Sequence, residues 1–122
     1  MTYSILLVED DAWLAENEAA VLQKAGYDVV VAPHAPAAIA LVDEKLPDAI
    51  VLDVLLAGST AFALLNELQS YCDTGQIPVV LCTNLAEQLD AKKLAEYGVK
   101  RIVDKTTMHP SDIVTALKAV LV

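Results

Sequence analysis

The stretch Ala49-Ile50-Val51-Leu52 is apolar at four successive positions rather than at alternate ones. A run of that kind reads as a strand covered on both faces, hence a central strand of a parallel sheet. It ends on Asp53, and Val54-Leu55-Leu56-Ala57-Gly58 follows. A carboxylate at the last position of such a strand sits at the carboxyl edge of the sheet, and open α/β sheets bind their ligands outside that edge. Aspartate also ends strands as an ordinary solvated turn residue, so this position alone does not decide its role.

Similar runs recur along the chain. Ser4-Ile5-Leu6-Leu7-Val8 is a short buried-strand pattern, followed at once by Glu9-Asp10-Asp11. A helix then covers about Ala12 to Ala25, with Leu14, Val21, Leu22 and Ala25 near one face and Gly26 as its stop. Tyr27 to Ala32 is a second strand. Pro33 and Pro36 punctuate the connection to a helix of about Ala37 to Lys45, and Pro47 precedes the strand that leads to Asp53. Gly58-Ser59-Thr60 reads as a loop with Ser59 or Thr60 as N-cap, and a helix covers about Ala61 to Tyr71 with Phe62, Leu65 and Leu68 inward. After the turn Asp73-Thr74-Gly75, Ile77 to Cys82 is a fourth strand, its proline near the start where a ladder tolerates it. A helix of about Ala86 to Tyr97 closes on Gly98, and Val99 to Val103 is a fifth strand. Pro110 opens a last helix that runs to about Leu121, with Ile113, Leu117, Val120 and Leu121 as its buried stripe. Strand and helix alternate five times over, which specifies one α/β domain, residues 1–122, with a parallel sheet and helices on both faces.

Composition supports this and excludes other classes. The chain is 122 residues long and 56% hydrophobic, enough to fill one core. Eight Lys and Arg stand against 17 Asp and Glu, a formal charge of -9, which argues against direct work on nucleic acid, where clustered cations neutralise phosphates. No uninterrupted apolar stretch is long enough to span a bilayer. Met1-Thr2-Tyr3-Ser4 carries no basic leader. Cys82 ends an apolar run and reads as a buried free thiol, and Cys72 lies in an unlike context. A reducing, cytoplasmic location is the economical expectation.

The residues directly after the apolar runs carry the chemistry. The first gives Glu9 and Asp10, the third Asp53, the fourth Thr83 and the fifth Lys105. Each has a bland reading: the acidic run complements a helix dipole, Thr83 caps the next helix, and Lys105 is a solvated cation. Their joint occurrence at one rim is harder to assign to chance. Crowded carboxylates repel one another, and a divalent cation relieves that; Mg²⁺ takes oxygen ligands and uses few carboxylates plus a phosphate. Asp10 and Asp53 are the direct-ligand candidates, with Glu9 acting through water. A carboxylate can attack phosphorus to give an aspartyl phosphate, Lys105 and the metal would offset charge on the transferring oxygens, and Thr83 offers a hydroxyl to the phosphoryl group.

With these residues in place, the chain resembles a response-regulator receiver domain of two-component signalling over essentially its whole length. Leu6-Leu7-Val8-Glu9-Asp10-Asp11 resembles the family's first-strand acidic motif, Ile50-Val51-Leu52-Asp53 the strand bearing the phosphorylated aspartate, and Thr83 and Lys105 its hydroxyl and lysine. The resemblance implies a three-layer, flavodoxin-like (βα)5 sandwich with strand order 2-1-3-4-5. It implies Asp53 as phosphoacceptor, with Mg²⁺ (or Mn²⁺) held by Glu9, Asp10, Asp53 and the backbone carbonyl of Leu55. The donor would be a phosphohistidine on a sensor histidine kinase or a phosphotransfer protein. The output would pass through the fourth helix, fifth strand and fifth helix, to a downstream protein target or a homodimer. Such a domain is a switch and no enzyme, catalysing only its own phosphorylation and dephosphorylation. With no output domain after Val122, a stand-alone regulator or an excised module is expected.

The chain departs from the family pattern in three places. Lys105 is followed by Thr106 where proline is usual; a cis bond before Thr would cost about 3 kcal/mol, so a trans bond is expected. Ile102 stands where a switch aromatic is common. Ala57-Gly58 and Ala61 replace the usual Pro-Gly and later Gly after the acceptor. Two rival functions follow from the same residues. A haloacid-dehalogenase-type phosphatase needs an acid two residues beyond its nucleophile, where this chain has Leu55. A degenerate receiver would serve only as a docking surface. His34 and His109 lack metal-ligand partners and read as surface residues. Trp13 reads either as a contact near the phosphorylation site or as partly buried against a neighbouring loop. Leu89, Leu94, Tyr97 and Val99 form either an exposed apolar face or ordinary core.

Overall fold

The computed structural model describes residues 2–53, 64–68, 76–83, 91–104 and 109–121, and of Ala35, Asp53, Thr83, Ala91, Lys93 and Pro110 the backbone. Five strands, β1 (Ser4–Glu9), β2 (Asp28–Ala32), β3 (Ala49–Asp53), β4 (Val79–Thr83) and β5 (Val99–Asp104), form one parallel sheet in the order β2-β1-β3-β4-β5. The helices are α1 (Ala12–Lys24), α2 (Ala35–Glu44), α3 at 64–68, α4 (Ala91–Ala95) and α5 (Pro110–Val120). No helix of the described residues is long and apolar enough to cross a membrane.

Alternation along the strands sorts the core into two halves. Leu6, Val8, Ile50, Leu52, Val79 and Leu81 pack with Ala38 and Val42 of α2, Leu64, Leu65 and Leu68 of α3, and Leu94 of α4. Ile5, Leu7, Ala49, Val51, Val80 and Cys82 pack with Ala19 and Leu22 of α1 and Ile113, Ala116 and Leu117 of α5. The successive apolar residues of β1, β3 and β4 are thus explained: each strand is buried on both sides. The sandwich has three layers, as its alternation of elements requires.

Several local expectations need correction. The inward face of α1 runs through Ala15, Glu18, Ala19 and Leu22, while Leu14 and Val21 are half-buried and Ala25 is exposed. Small alanines, weak markers of a core face, let the helix lie close to the sheet there. Trp13 stands two residues from Ala15, about 200° around the helix, and is 70% exposed rather than partly buried. The second helix starts before its expected position. His34 is its N-cap, its Nδ1 accepting from the Ala37 N–H at 3.1 Å, and Pro36 lies in the first turn, where its missing N–H would be an orphan anyway. Leu94 and Val99 are core residues and Tyr97 packs against them, so they form no exposed face; Leu89 lies outside the described residues. His34 and His109 are both exposed.

The end of α1 is set by Gly26 at φ 98. Its N–H donates to the Gln23 carbonyl at 3.0 Å and the Tyr27 N–H to the Leu22 carbonyl at 3.2 Å. This left-handed closure satisfies two terminal carbonyls and turns the chain straight into β2.

Candidate functional site

The strand register assembles the site. Glu9 is the partner of Asp53, Asp53 of Cys82, and Cys82 of Val103, so one rung crosses four strands at the carboxyl end of the sheet. Thr83 pairs with Asp104 on the next rung, and Asp10 follows Glu9 at the same level. Neighbouring strands stand about 4.8 Å apart. Glu9, Asp10, Asp53 and Thr83 are therefore brought to one rim. Lys105 lies outside the described residues; Asp104, immediately before it, is at that rim. Leu55, Thr106 and the loop after Asp53 also lie outside the described residues.

The three successive acids have separate tasks. Asp11 caps α1: its Oδ1 accepts from the Trp13 N–H at 2.9 Å and the Leu14 N–H at 3.1 Å. Its carboxylate is thereby committed to the helix, where the dipole favours it. Glu9 is 1% exposed, and its Oε1 accepts from the Asp11 N–H at 3.0 Å. A charge so placed is oriented by the backbone rather than by solvent. Asp10, between them, is exposed. Glu9 and Asp10 both open on a groove of about 630 Å³.

This donor set consists of hard carboxylate oxygens, which suits Mg²⁺ or Mn²⁺ and not a thiophilic metal. Among the described residues no three His, Cys, Asp or Glu side chains converge as a metal cluster. A complete cation site therefore needs donors from Asp53 or beyond it. The buried Cys82 is the one soft donor on the rung; it belongs to the core between the sheet and α5.

Asp104 at the rim and Asp11 as a helix cap were not expected from the sequence. The signals were present: Asp104 is the last residue of its strand, and an Asp immediately before a helical run is a standard N-cap position.

A family model for the response regulator receiver domain matches residues 5–118. The chain is 32% identical over 121 residues to the phosphate regulon transcriptional regulatory protein PhoB of Escherichia coli, covering 99% of this chain and 52% of that protein. It thus spans about half the length of the curated relatives it matches. Among solved structures, the signal receiver domain of a signal transduction histidine kinase from Syntrophus aciditrophicus superposes with a TM-score of 0.83 at 28% identity, covering 98% of this chain and 90% of that one. The chemotaxis response regulator CheY4 of Vibrio cholerae superposes with a TM-score of 0.83 at 22% identity over 99% of this chain and 100% of that one, a likeness of fold.

Proposed function

Because this chain belongs to the response regulator receiver domain family, we propose that it is a phosphorylation-dependent switch of a two-component or phosphorelay system, with Asp53 as the phosphoacceptor. The observation that carries this reading is the register that makes Glu9 and Asp53 partners at the carboxyl end of the sheet, one rung from Thr83 and Asp104. Mg²⁺ or Mn²⁺ would be held by Glu9, Asp10, Asp53 and the Leu55 backbone carbonyl, and when bound supplies positive charge to offset that of the phosphoryl oxygens.

The acceptor carboxylate attacks phosphorus of a phosphohistidine on a sensor histidine kinase or a phosphotransfer protein. A P–O bond forms, the P–N bond breaks, and the departing imidazole takes up a proton. Lys105 pairs with the acceptor carboxylate beforehand and with the phosphoryl group afterwards. Thr83 donates its hydroxyl to a phosphoryl oxygen, which biases β4, and with it α4, β5 and α5, between two arrangements. A downstream protein or a second copy then reads that face. The domain turns over only its own aspartyl phosphate and works in the cytoplasm.

Ile102 supports a second reading. It is half-buried and packs against the core that Leu94 and Val99 share. An aliphatic side chain offers no hydroxyl or ring edge to relay the state of Thr83, as would suit a docking module independent of phosphorylation. The two readings separate by experiment. With acetyl phosphate and Mg²⁺, the switch gains the mass of one phosphoryl group and Asp53→Asn gains none. A docking module gains none in either form, and shows no thermal stabilisation by Mg²⁺.

A further inference from the structure

Among the described residues the sheet ends at β2, which is hydrogen-bonded to β1 alone. Val30 is 46% and Val31 38% exposed. Successive residues of a strand point to opposite faces, so this edge is uncovered on both faces at adjoining positions. A groove lies beside each valine. On the α1 side, the groove of about 630 Å³ is lined by Val31 with Glu9, Asp10, Glu16, Ala19 and Gln23 among others. On the α2 side, one of about 190 Å³ is lined by Val30 with Ile5, Leu41, Glu44, Lys45 and Pro47 among others. Sheet edges are ordinarily blunted by a lysine, a proline or a bulge within the strand. Here Asp28 opens β2 and Pro33 follows it, leaving Val29-Val30-Val31 uncharged between them.

We propose that the β2 edge is a strand-addition site for an extended segment of a partner polypeptide, apolar on one side and bearing lysine or arginine on the other. An added strand bonds its main chain to the free edge and sends alternate side chains to opposite faces, where the two grooves receive them. Among the described residues that line the α1-side groove, Asp10 and Glu16 are exposed carboxylates and none is basic; it takes the cationic side chains. On the α2 side Glu44 and Lys45 offset one another over an apolar floor of Leu6, Leu41 and Pro47; it takes the apolar ones. A second copy of this chain does not match. Its own β2 offers no cation and brings another Asp28, and two chains of charge -9 repel.

The test titrates the ¹⁵N-labelled chain, in low salt with EDTA, with an end-blocked hexapeptide alternating Lys and Val. Amide shifts and new hydrogen-exchange protection are expected along Asp28–Ala32. Binding should weaken at least tenfold in Val31→Lys and severalfold in Glu16→Lys, two exposed positions whose variants are checked for fold by their spectra. A matched Glu-Val peptide should not bind. Equal binding of the Glu-Val peptide, shifts mapping away from β2, or undiminished affinity in both variants would overturn the proposal. So would a dimer of the parent chain in sedimentation equilibrium that Val31→Lys dissolves, which would assign the edge to a second copy. Phosphoryl uptake is independent of these outcomes, so failure here leaves the switch reading intact.

Discussion

Replacing Asp53 by Asn should stabilise the metal-free protein while ending its response to Mg²⁺. Asp53 and Glu9 are register partners across β1 and β3. With strands about 4.8 Å apart, unit charges on one rung lie on the order of 6 Å from each other. Their repulsion is about 3 kcal/mol at an effective dielectric of about 20 and about 0.7 kcal/mol in bulk water. Glu9 is 1% exposed, which moves the pair toward the larger figure, while the Asp11 N–H on Glu9 and the proposed pairing of Lys105 with Asp53 offset part of the repulsion. A gain of about 1–3 kcal/mol is expected in EDTA at neutral pH. With a urea m value of about 1.5 kcal/mol/M, the midpoint should rise by about 0.7 to 2 M. Saturating Mg²⁺ should then raise the midpoint of the parent and leave that of Asp53→Asn nearly unmoved, closing the gap. A variant no more stable than the parent in EDTA, or one that gains as much from Mg²⁺, would refute the crowding of carboxylates on this rung.

Asp11→Ala removes both cap bonds of α1 and should cost about 1 kcal/mol, lowering the urea midpoint with an unchanged m value. Leu117→Ala, at a fully buried position between α5 and the sheet, should cost about 2–5 kcal/mol by the same measurement. Lys105→Ala should slow phosphoryl uptake from acetyl phosphate at least tenfold, read by intact mass against time, with the Mg²⁺-dependent rise in thermal midpoint retained. Thr83→Ala should still take up the phosphoryl group but lose the phosphorylation-dependent shifts of β5 and α5 amides, read by NMR.

The layered architecture was legible because burial on both faces forces apolar residues into succession, and β1, β3 and β4 carry that mark plainly. The same logic placed Glu9, Asp10 and Thr83 at the rim, since a polar residue that ends a doubly covered strand must leave at the sheet's edge. The inner face of α1 was misread because Ala15 and Ala19 pack closely without looking hydrophobic beside Leu14 and Val21, and because Glu18 is a carboxylate on the buried side. Of the two readings of Trp13, partial burial fails: its size suggests burial, but helical phase carries it away from the sheet. The start of α2 was hidden by Pro36, a breaker in most positions but acceptable in a first turn behind the His34 cap. What distinguishes Asp11 from Asp10 is its place immediately before the helical run, a position the sequence displays and an N-cap aspartate fits.

The most direct test of the central claim is to trap the acyl phosphate where it forms. The chain is incubated with acetyl phosphate and Mg²⁺, reduced with borohydride so that an aspartyl phosphate becomes homoserine, digested, and sequenced by mass spectrometry. The account predicts homoserine at position 53 alone, absent when EDTA replaces Mg²⁺. Homoserine at Asp10, Asp11 or Asp104, or none at all in the presence of Mg²⁺, would contradict it.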